Sequence, residues 1–186
     1  MNRFMSTDMP LGGLKLIERQ PIGDHRGYLA RLFCADELSK FSWKKPIAQI
    51  NHTYTALRGT VRGLHFQKAP HTEMKLVSCI RGEVWDVAVD LRPDSPSFLH
   101  WHAEILSATN CKAFLIPEGF AHGFQCMSDD VELLYCHSAS YVQESEAALN
   151  ALDPYLSIHW PNPITEISAK DATHPFIDST FKGVQL

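Results

Sequence analysis

Short runs of β-branched and aromatic residues recur along the chain about every ten residues, each broken by Gly, Pro, Asp or Asn. That punctuation is characteristic of an all-β sandwich or barrel. It predicts strands over 13–19, 27–33, 46–54, 58–66, 74–81, 83–91, 99–106, 112–116, 121–127 and 131–138, with Arg81-Gly82 as a tight connection between two of them. Only 35–41 and 143–151 read as helices, the second because it is rich in Glu and Ala. From Asp153 onward the chain turns Pro-rich and irregular, as in Trp160-Pro161-Asn162-Pro163. There is no internal repeat, low-complexity tract or flexible linker, so residues 1–186 are expected to form one β-domain, core about 13–178, with a C-terminal extension.

Alternation within the strands assigns faces. In 83–91, Trp85, Val87, Val89 and Leu91 share one face and are read as core, while Val84, Asp86, Ala88 and Asp90 share the other. In 74–81, Lys75 falls on the same face as Val77 and Cys79. Its ammonium group either points into a cavity or snorkels to solvent near the strand end, and the pattern allows both. Arg62 and His65 are an even and an odd position, so a regular strand would send them to opposite faces. For both to serve one pocket the strand must bend, and Gly63 is the place for a bulge or a close backbone approach.

Composition narrows the classes. A chain of 186 residues, 45% of them hydrophobic, should remove about 70% of its unfolded surface from water and needs no disulfide or metal staple. Cys34, Cys79, Cys111, Cys126 and Cys136 show neither CxxC spacing nor an even number, which suits reduced core thiols and a cytoplasmic setting. The N-terminal stretch has no continuous apolar segment, and no run approaches the ~18 apolar residues of a membrane span, so a soluble protein with no membrane partner is expected. A net charge of −4 with no basic run argues against a nucleic-acid surface.

The candidate chemistry starts with Thr60-Val61-Arg62-Gly63-Leu64-His65-Phe66-Gln67, which places a fixed cation three positions from a titratable imidazole. A strand histidine is commonly a hydrogen-bonded structural residue, but an arginine beside a group that titrates near neutral pH also suits an anionic substrate and a proton transfer. Ile116-Pro117-Glu118-Gly119-Phe120-Ala121-His122-Gly123 resembles the second motif of the cupin superfamily of β-jelly rolls. In metal-binding cupins an earlier motif supplies a glutamate ligand seven residues before a glycine; if Gly82 is that glycine, Lys75 stands where the glutamate should be. An ammonium group repels a metal ion, so no metal is expected there. His100-Trp101-His102 with Glu104 on the same face offers a second set of ligand types, more simply read as a solvated polar face.

A more specific likeness follows from segments taken in order: Gly23-Asp24-His25-Arg26-Gly27-Tyr28, Gln49-Ile50-Asn51-His52, Arg62 to Gln67, Lys75-Leu76-Val77, Gly82 to Arg92, Ser95-Pro96-Ser97-Phe98, Ile116 to Phe124 and Ser168-Ala169-Lys170-Asp171. Together they resemble the dTDP-4-dehydrorhamnose 3,5-epimerase family over about residues 13–178. The resemblance implies a cupin-type jelly roll, a homodimer without metal or cofactor, and a nucleotide-diphosphate 4-keto-6-deoxy sugar as substrate. It implies that His65 is the base, Asp171 the carboxylate on its other ring nitrogen, Lys75 the cation beside the enolate and Tyr135 the proton donor. By the same likeness Tyr141 and His122 line the sugar pocket, Arg26, Arg62 and Lys170 engage the diphosphate, and Gln49 and Asn51 hold the nucleoside.

The chain departs from the family pattern in two residues and one segment. Arg31 stands where a glutamate near the thymine is usual, exchanging an acceptor for a cationic donor. Glu73 replaces a common glutamine, and Ala147-Ala148-Leu149-Asn150-Ala151 replaces a Gly-Ile-x-Trp element. A CDP-linked or other nucleotide sugar and inversion at C3 or C5 alone therefore stand as alternatives, as does a non-catalytic sugar-nucleotide-binding cupin.

Overall fold

The central strands bury side chains on both faces because both faces are covered. The computed structural model describes residues 2–186. In chain order the elements are β1 (Phe4–Asp8), β2 (Lys15–Arg19), β3 (Ile22–Asp24), β4 (Gly27–Leu29), α1 (Ala35–Leu38), β5 (Gln49–Thr55), β6 (Val61–Gln67), β7 (Lys75–Arg81), β8 (Glu83–Asp90), β9 (Trp101–Ser107), β10 (Lys112–Ile116), β11 (Phe120–Cys126), β12 (Val131–His137), β13 (Glu146–Ala148) and α2 (Ala169–Ala172). A six-stranded sheet in the order β1-β2-β10-β7-β12-β5 faces a five-stranded sheet in the order β13-β6-β11-β8-β9, and β3-β4 form a separate ribbon. Pairing within the sheets is antiparallel throughout, giving the expected jelly roll.

Three apolar layers follow. Leu16, Val77, Phe114 and Leu133 of the first sheet meet Val84, Ala88, Phe120 and Phe124 of the second in the interior. Phe4, Ile17, Leu76 and Leu115 on the outer face of the first sheet are covered by Leu38 and Trp43 around α1. Leu64, Val87, Val89 and Ala121 on the outer face of the second are covered by Leu149, Leu156 and Val184, with Trp160 and Phe181 packed against them. Trp85 meets Trp101 and Trp160 edge-on at centroid distances of 5.7 and 5.5 Å, and the indole N–H of Trp160 donates to the Ala151 carbonyl. The C-terminal extension is thus the lid over a whole sheet face.

That layering corrects the face assignment in β8. Val87, Val89 and Leu91 are fully buried, but beneath the extension; the face carrying Val84, Asp86 and Ala88 looks into the jelly roll. Alternation separates two faces, and only the second sheet and its cover decide which is the interior. Each of the ten predicted strands has an observed counterpart, though 27–33 shortens to Gly27–Leu29; β1, β3 and β13 were not anticipated. Segment 35–41 is helical, as α1 followed by a 3₁₀ turn at Ser39–Phe41. Segment 143–151 is not a helix beyond one 3₁₀ turn at Gln143–Ser145. Instead Glu146, Ala147 and Ala148 pair with Gln67, Phe66 and His65, and Leu149 exchanges both backbone hydrogen bonds with Leu64. The open edge of β6 supplies partners for these backbone groups, which outweighs helix propensities of a few tenths of a kcal/mol per residue.

Candidate active site

A cavity of about 250 Å³ opens between the two sheets, lined from β6 and β11 by Arg62, His65 and His122 and from β5, β7 and β12 by Asn51, Lys75 and Tyr135. Arg62 and His65 both reach it because β6 is bulged. His65 pairs with His122 and Arg62 with Phe124, so three steps on β6 span two on β11. The extra residue cancels the parity that would separate the two side chains. Gly63 makes this possible: its φ is +129°, and a Cβ there would lie 2.5 Å from the Gly123 Cα. Arg62 Nε donates to Thr55 Oγ1 at 3.0 Å.

The C-terminal extension supplies the carboxylate for His65. Val61 N–H donates to Glu166 O, and Ile167 bridges to Val61 in parallel, which lays the extension along β6. Ser168 then caps α2, its Oγ accepting from the Asp171 N–H at 3.0 Å, and this fixes Asp171 in the first turn. Asp171 Oδ1 lies 2.8 Å from His65 Nε2, and Oδ2 lies 3.4 Å from the Gly63 N–H. Burial pushes the Asp171 carboxyl up, but the His65 contact with the Gly63 and Ser168 bonds brings it below the usual carboxylate range. An ionised Asp171 accepts the Nε2 proton, leaving the lone pair on Nδ1.

The facing sheet carries an acid and a cation. Tyr135 is 8% exposed, and burial, with Asp86 adding to it, drives its phenol far above the ordinary value, so it remains protonated at neutral pH. The Lys75 side chain points inward: its Nζ crosses to the His65 carbonyl at 3.2 Å and lies 3.4 Å from Glu73 Oε1. His122 Nε2 contacts both oxygens of the fully buried Asp86 at 2.9 and 3.0 Å, and burial raises the Asp86 carboxyl despite that imidazole. The Tyr135 ring sits between His122, edge-on at 5.8 Å, and His137, stacked at 5.9 Å.

Other expected residues fall at the rim or beyond it. Gln49 Nε2 donates to Asn51 Oδ1 at 2.9 Å, while Tyr141 and Lys170 both engage Glu146 Oε2, at 3.1 and 2.7 Å. Arg26 is exposed and folds back on Asp24, and Arg31 pairs with Glu37; neither lines the cavity of its own chain. His102 is engaged by Glu104 at 3.0 Å, and both are half-buried, so that face is less solvated than its sequence suggests. Asp86, His137 and Glu146 were not singled out as site residues. A carboxylate amid the apolar run of β8 is the signal that points to Asp86; placing His137 and Glu146 requires the strand register.

The family model described as dTDP-4-dehydrorhamnose 3,5-epimerase matches residues 8–179. The Salmonella typhimurium protein of that name is 39% identical over 165 residues, 88% of this chain and 90% of that one. A dTDP-4-dehydrorhamnose 3-epimerase from Streptomyces niveus is 35% identical, covering 87% of this chain and 79% of its own. The dTDP-6-deoxy-D-glucose-3,5-epimerase of Legionella pneumophila, solved in complex with dTDP-4-keto-L-rhamnose, superposes with a TM-score of 0.91 at 36% identity, over 98% of this chain and 99% of that one. With the jelly roll and the cavity already described, these likenesses show that the chain belongs to the dTDP-4-dehydrorhamnose 3,5-epimerase family, whose members are isomerases acting on nucleotide-linked 4-keto sugars.

Proposed function

We propose that this chain inverts C3 and C5 of a dTDP-linked 4-keto-6-deoxyhexose through an enolate. The observation that carries the reading is the opposition of His65, backed by Asp171, and the protonated Tyr135 across one cavity, with Lys75 between the sheets. The C4 ketone acidifies the protons on C3 and C5. His65 Nδ1 takes one of them, the electron pair moves onto the C4 oxygen, and Lys75 stabilises that oxygen. Tyr135 then delivers a proton to the opposite face of the carbon, and solvent restores both groups for the second carbon. Carbonyl and ammonium suffice for this chemistry, so the scheme calls on no metal or cofactor.

In this reading Arg62 and Lys170 hold the diphosphate, Gln49 and Asn51 the nucleoside, and His122 and Tyr141 flank the sugar. Arginine suits the diphosphate because its planar fork binds two oxygens at once. The proposal includes a cytoplasmic homodimer in which residues 1–186 act as one unit. Its support is the β3-β4 ribbon, too short to be stable alone, which exposes Ile22, Tyr28 and Leu29 beside Arg26 and Arg31. A second copy covering this ribbon would bring both arginines to a nucleotide they do not reach within one chain. The Streptomyces niveus relative, named a 3-epimerase, keeps inversion at C3 alone as a second reading.

The test is proton exchange in D₂O with 4-keto-6-deoxyhexoses linked to dTDP, CDP, UDP and GDP, read by NMR at each carbon. Deuterium at C3 and C5 with the dTDP sugar supports the first reading, and deuterium at C3 alone the second. Tight nucleotide binding without any exchange would make the protein a binding cupin.

A further inference from the structure

Glu73 and His137 form a third carboxylate–imidazole pair at the cavity, separate from His65–Asp171 and His122–Asp86. His137 Nδ1 lies 2.7 Å from Glu73 Oε2, and both side chains are about nine-tenths buried. β12 pairs with β7 so that His137 is directly opposite Lys75. We propose that Glu73 and His137 position Lys75 for the enolate, and that the rim amides of Gln49 and Asn51 set the proton arrangement of the pair. This inference rests on the epimerase reading above.

The proton arrangement follows from one backbone group. The Tyr141 N–H can only donate, and it donates to Gln49 Oε1 at 3.0 Å. Gln49 must then present its NH₂ to Asn51 Oδ1, 2.9 Å away. That leaves the Asn51 NH₂ facing His137 Nε2 at 3.4 Å, where the imidazole must accept. The His137 proton therefore resides on Nδ1 and is donated to Glu73. Glu73 keeps Oε1 for Lys75 Nζ at 3.4 Å, and Lys75 is also tied to the His65 carbonyl at 3.2 Å. Burial pushes the Glu73 carboxyl up, but His137 and Lys75 together bring it below the usual range, so it is ionised at neutral pH. A run of hydrogen bonds whose donors all point inward thus joins Tyr141 at the rim to Glu73, whose other oxygen faces the Lys75 ammonium.

The donor count yields a specific test. Glu73 accepts from two donors, His137 Nδ1–H and Lys75 Nζ–H, one on each oxygen. In Glu73→Gln only one amide position accepts, so one donor faces an NH₂ group. His137→Ala leaves the carboxylate with Lys75 as its sole partner and draws the ammonium away from the substrate. In the double variant Glu73→Gln/His137→Ala the competing donor is gone, and the amide oxygen accepts from Lys75 without a net charge.

Each single variant should lower kcat for C–H exchange by about 10-fold, the scale of one lost hydrogen bond, with KM within about threefold. The double variant should recover to within about threefold of the parent, a coupling typical of side chains sharing one network. Losses that simply multiply in the double variant, or singles indistinguishable from the parent, would overturn the inference. Should the singles fail to fold, ¹⁵N NMR of the parent decides: His137 neutral and protonated on Nδ1 supports the proposal, and any other form refutes it. A parent that exchanges no C–H proton with any sugar nucleotide defeats the epimerase reading instead, a different outcome from a parent that exchanges and variants that do not couple.

Discussion

Replacing Asp171 with Asn changes one oxygen to NH₂ and tests the base directly. In the parent, the two carboxylate oxygens meet two donors, His65 Nε2–H at 2.8 Å and the Gly63 N–H at 3.4 Å. An amide accepts at only one of these positions. If its oxygen turns to His65, the tautomer survives but the negative charge is lost. If its NH₂ turns to His65, the proton moves to Nδ1 and the base disappears. The smaller loss can be estimated. As His65 takes a proton its ring becomes cationic, with a carboxylate charge about 4 Å away; at an effective dielectric of 20 that is worth about 4 kcal/mol. This corresponds to about a 10³-fold fall in rate, inside the 10²- to 10⁴-fold range of general acid–base groups. The assay is deuterium incorporation at C3 and C5 by NMR, with nucleotide affinity expected to stay within about threefold because Asp171 faces His65 and not the rim. The same substitution has a stability signature. The folded Asp171 carboxyl lies below its unfolded value, so its contribution is present above about pH 4 and is lost as pH falls through the folded value. The variant should unfold at a lower temperature than the parent at pH 7, with the gap narrowing as the pH falls below about 4. Exchange within threefold of the parent at pH 7 would refute the role of Asp171 and the tautomer it imposes.

Gly63→Ala places a Cβ 2.5 Å from the Gly123 Cα and 2.9 Å from the His122 carbonyl, at a φ of +129°; we expect a loss of about 2–4 kcal/mol in urea unfolding, and an unchanged midpoint would contradict the close approach of β6 and β11. Trp160→Ala removes an indole that packs on Trp85 and donates to Ala151, so thermal unfolding should reveal a loss of about 2–4 kcal/mol; no change would mean that the extension does not hold the second sheet. Lys75→Met keeps much of the stem and removes the charge, and should cut C–H exchange by about 10²-fold or more while nucleotide affinity holds; exchange at the parent rate would exclude Lys75 as the enolate partner.

Much of the architecture was legible because strand periodicity is local. Val84 to Leu91 reads as a strand from its own residues, and Gly63 between Arg62 and His65 marks a bend because no other residue tolerates that backbone so readily. Segment 143–151 was not legible: its Glu and Ala content favours a helix, and only the free edge of β6 makes Glu146–Ala148 a strand. Two of the three carboxylate–imidazole pairs at the cavity show the same division. His65 and Asp171 were named from a family likeness, yet nothing local to either relates them across 106 positions. Glu73 and His137, 64 positions apart, were never linked, because their meeting depends on the register of β12 against β7 and the inward turn of both chains.

By itself the sequence determined which stretches are strands, where the backbone must bend and which side chains carry titratable chemistry, since each of these depends on a residue and its near neighbours. The tertiary structure decided which face of β8 is interior, that Lys75 points into the cavity, and which carboxylate serves which histidine. Those outcomes depend on groups brought together from distant parts of the chain, and hydrogen bonds and buried charges act over only a few ångströms.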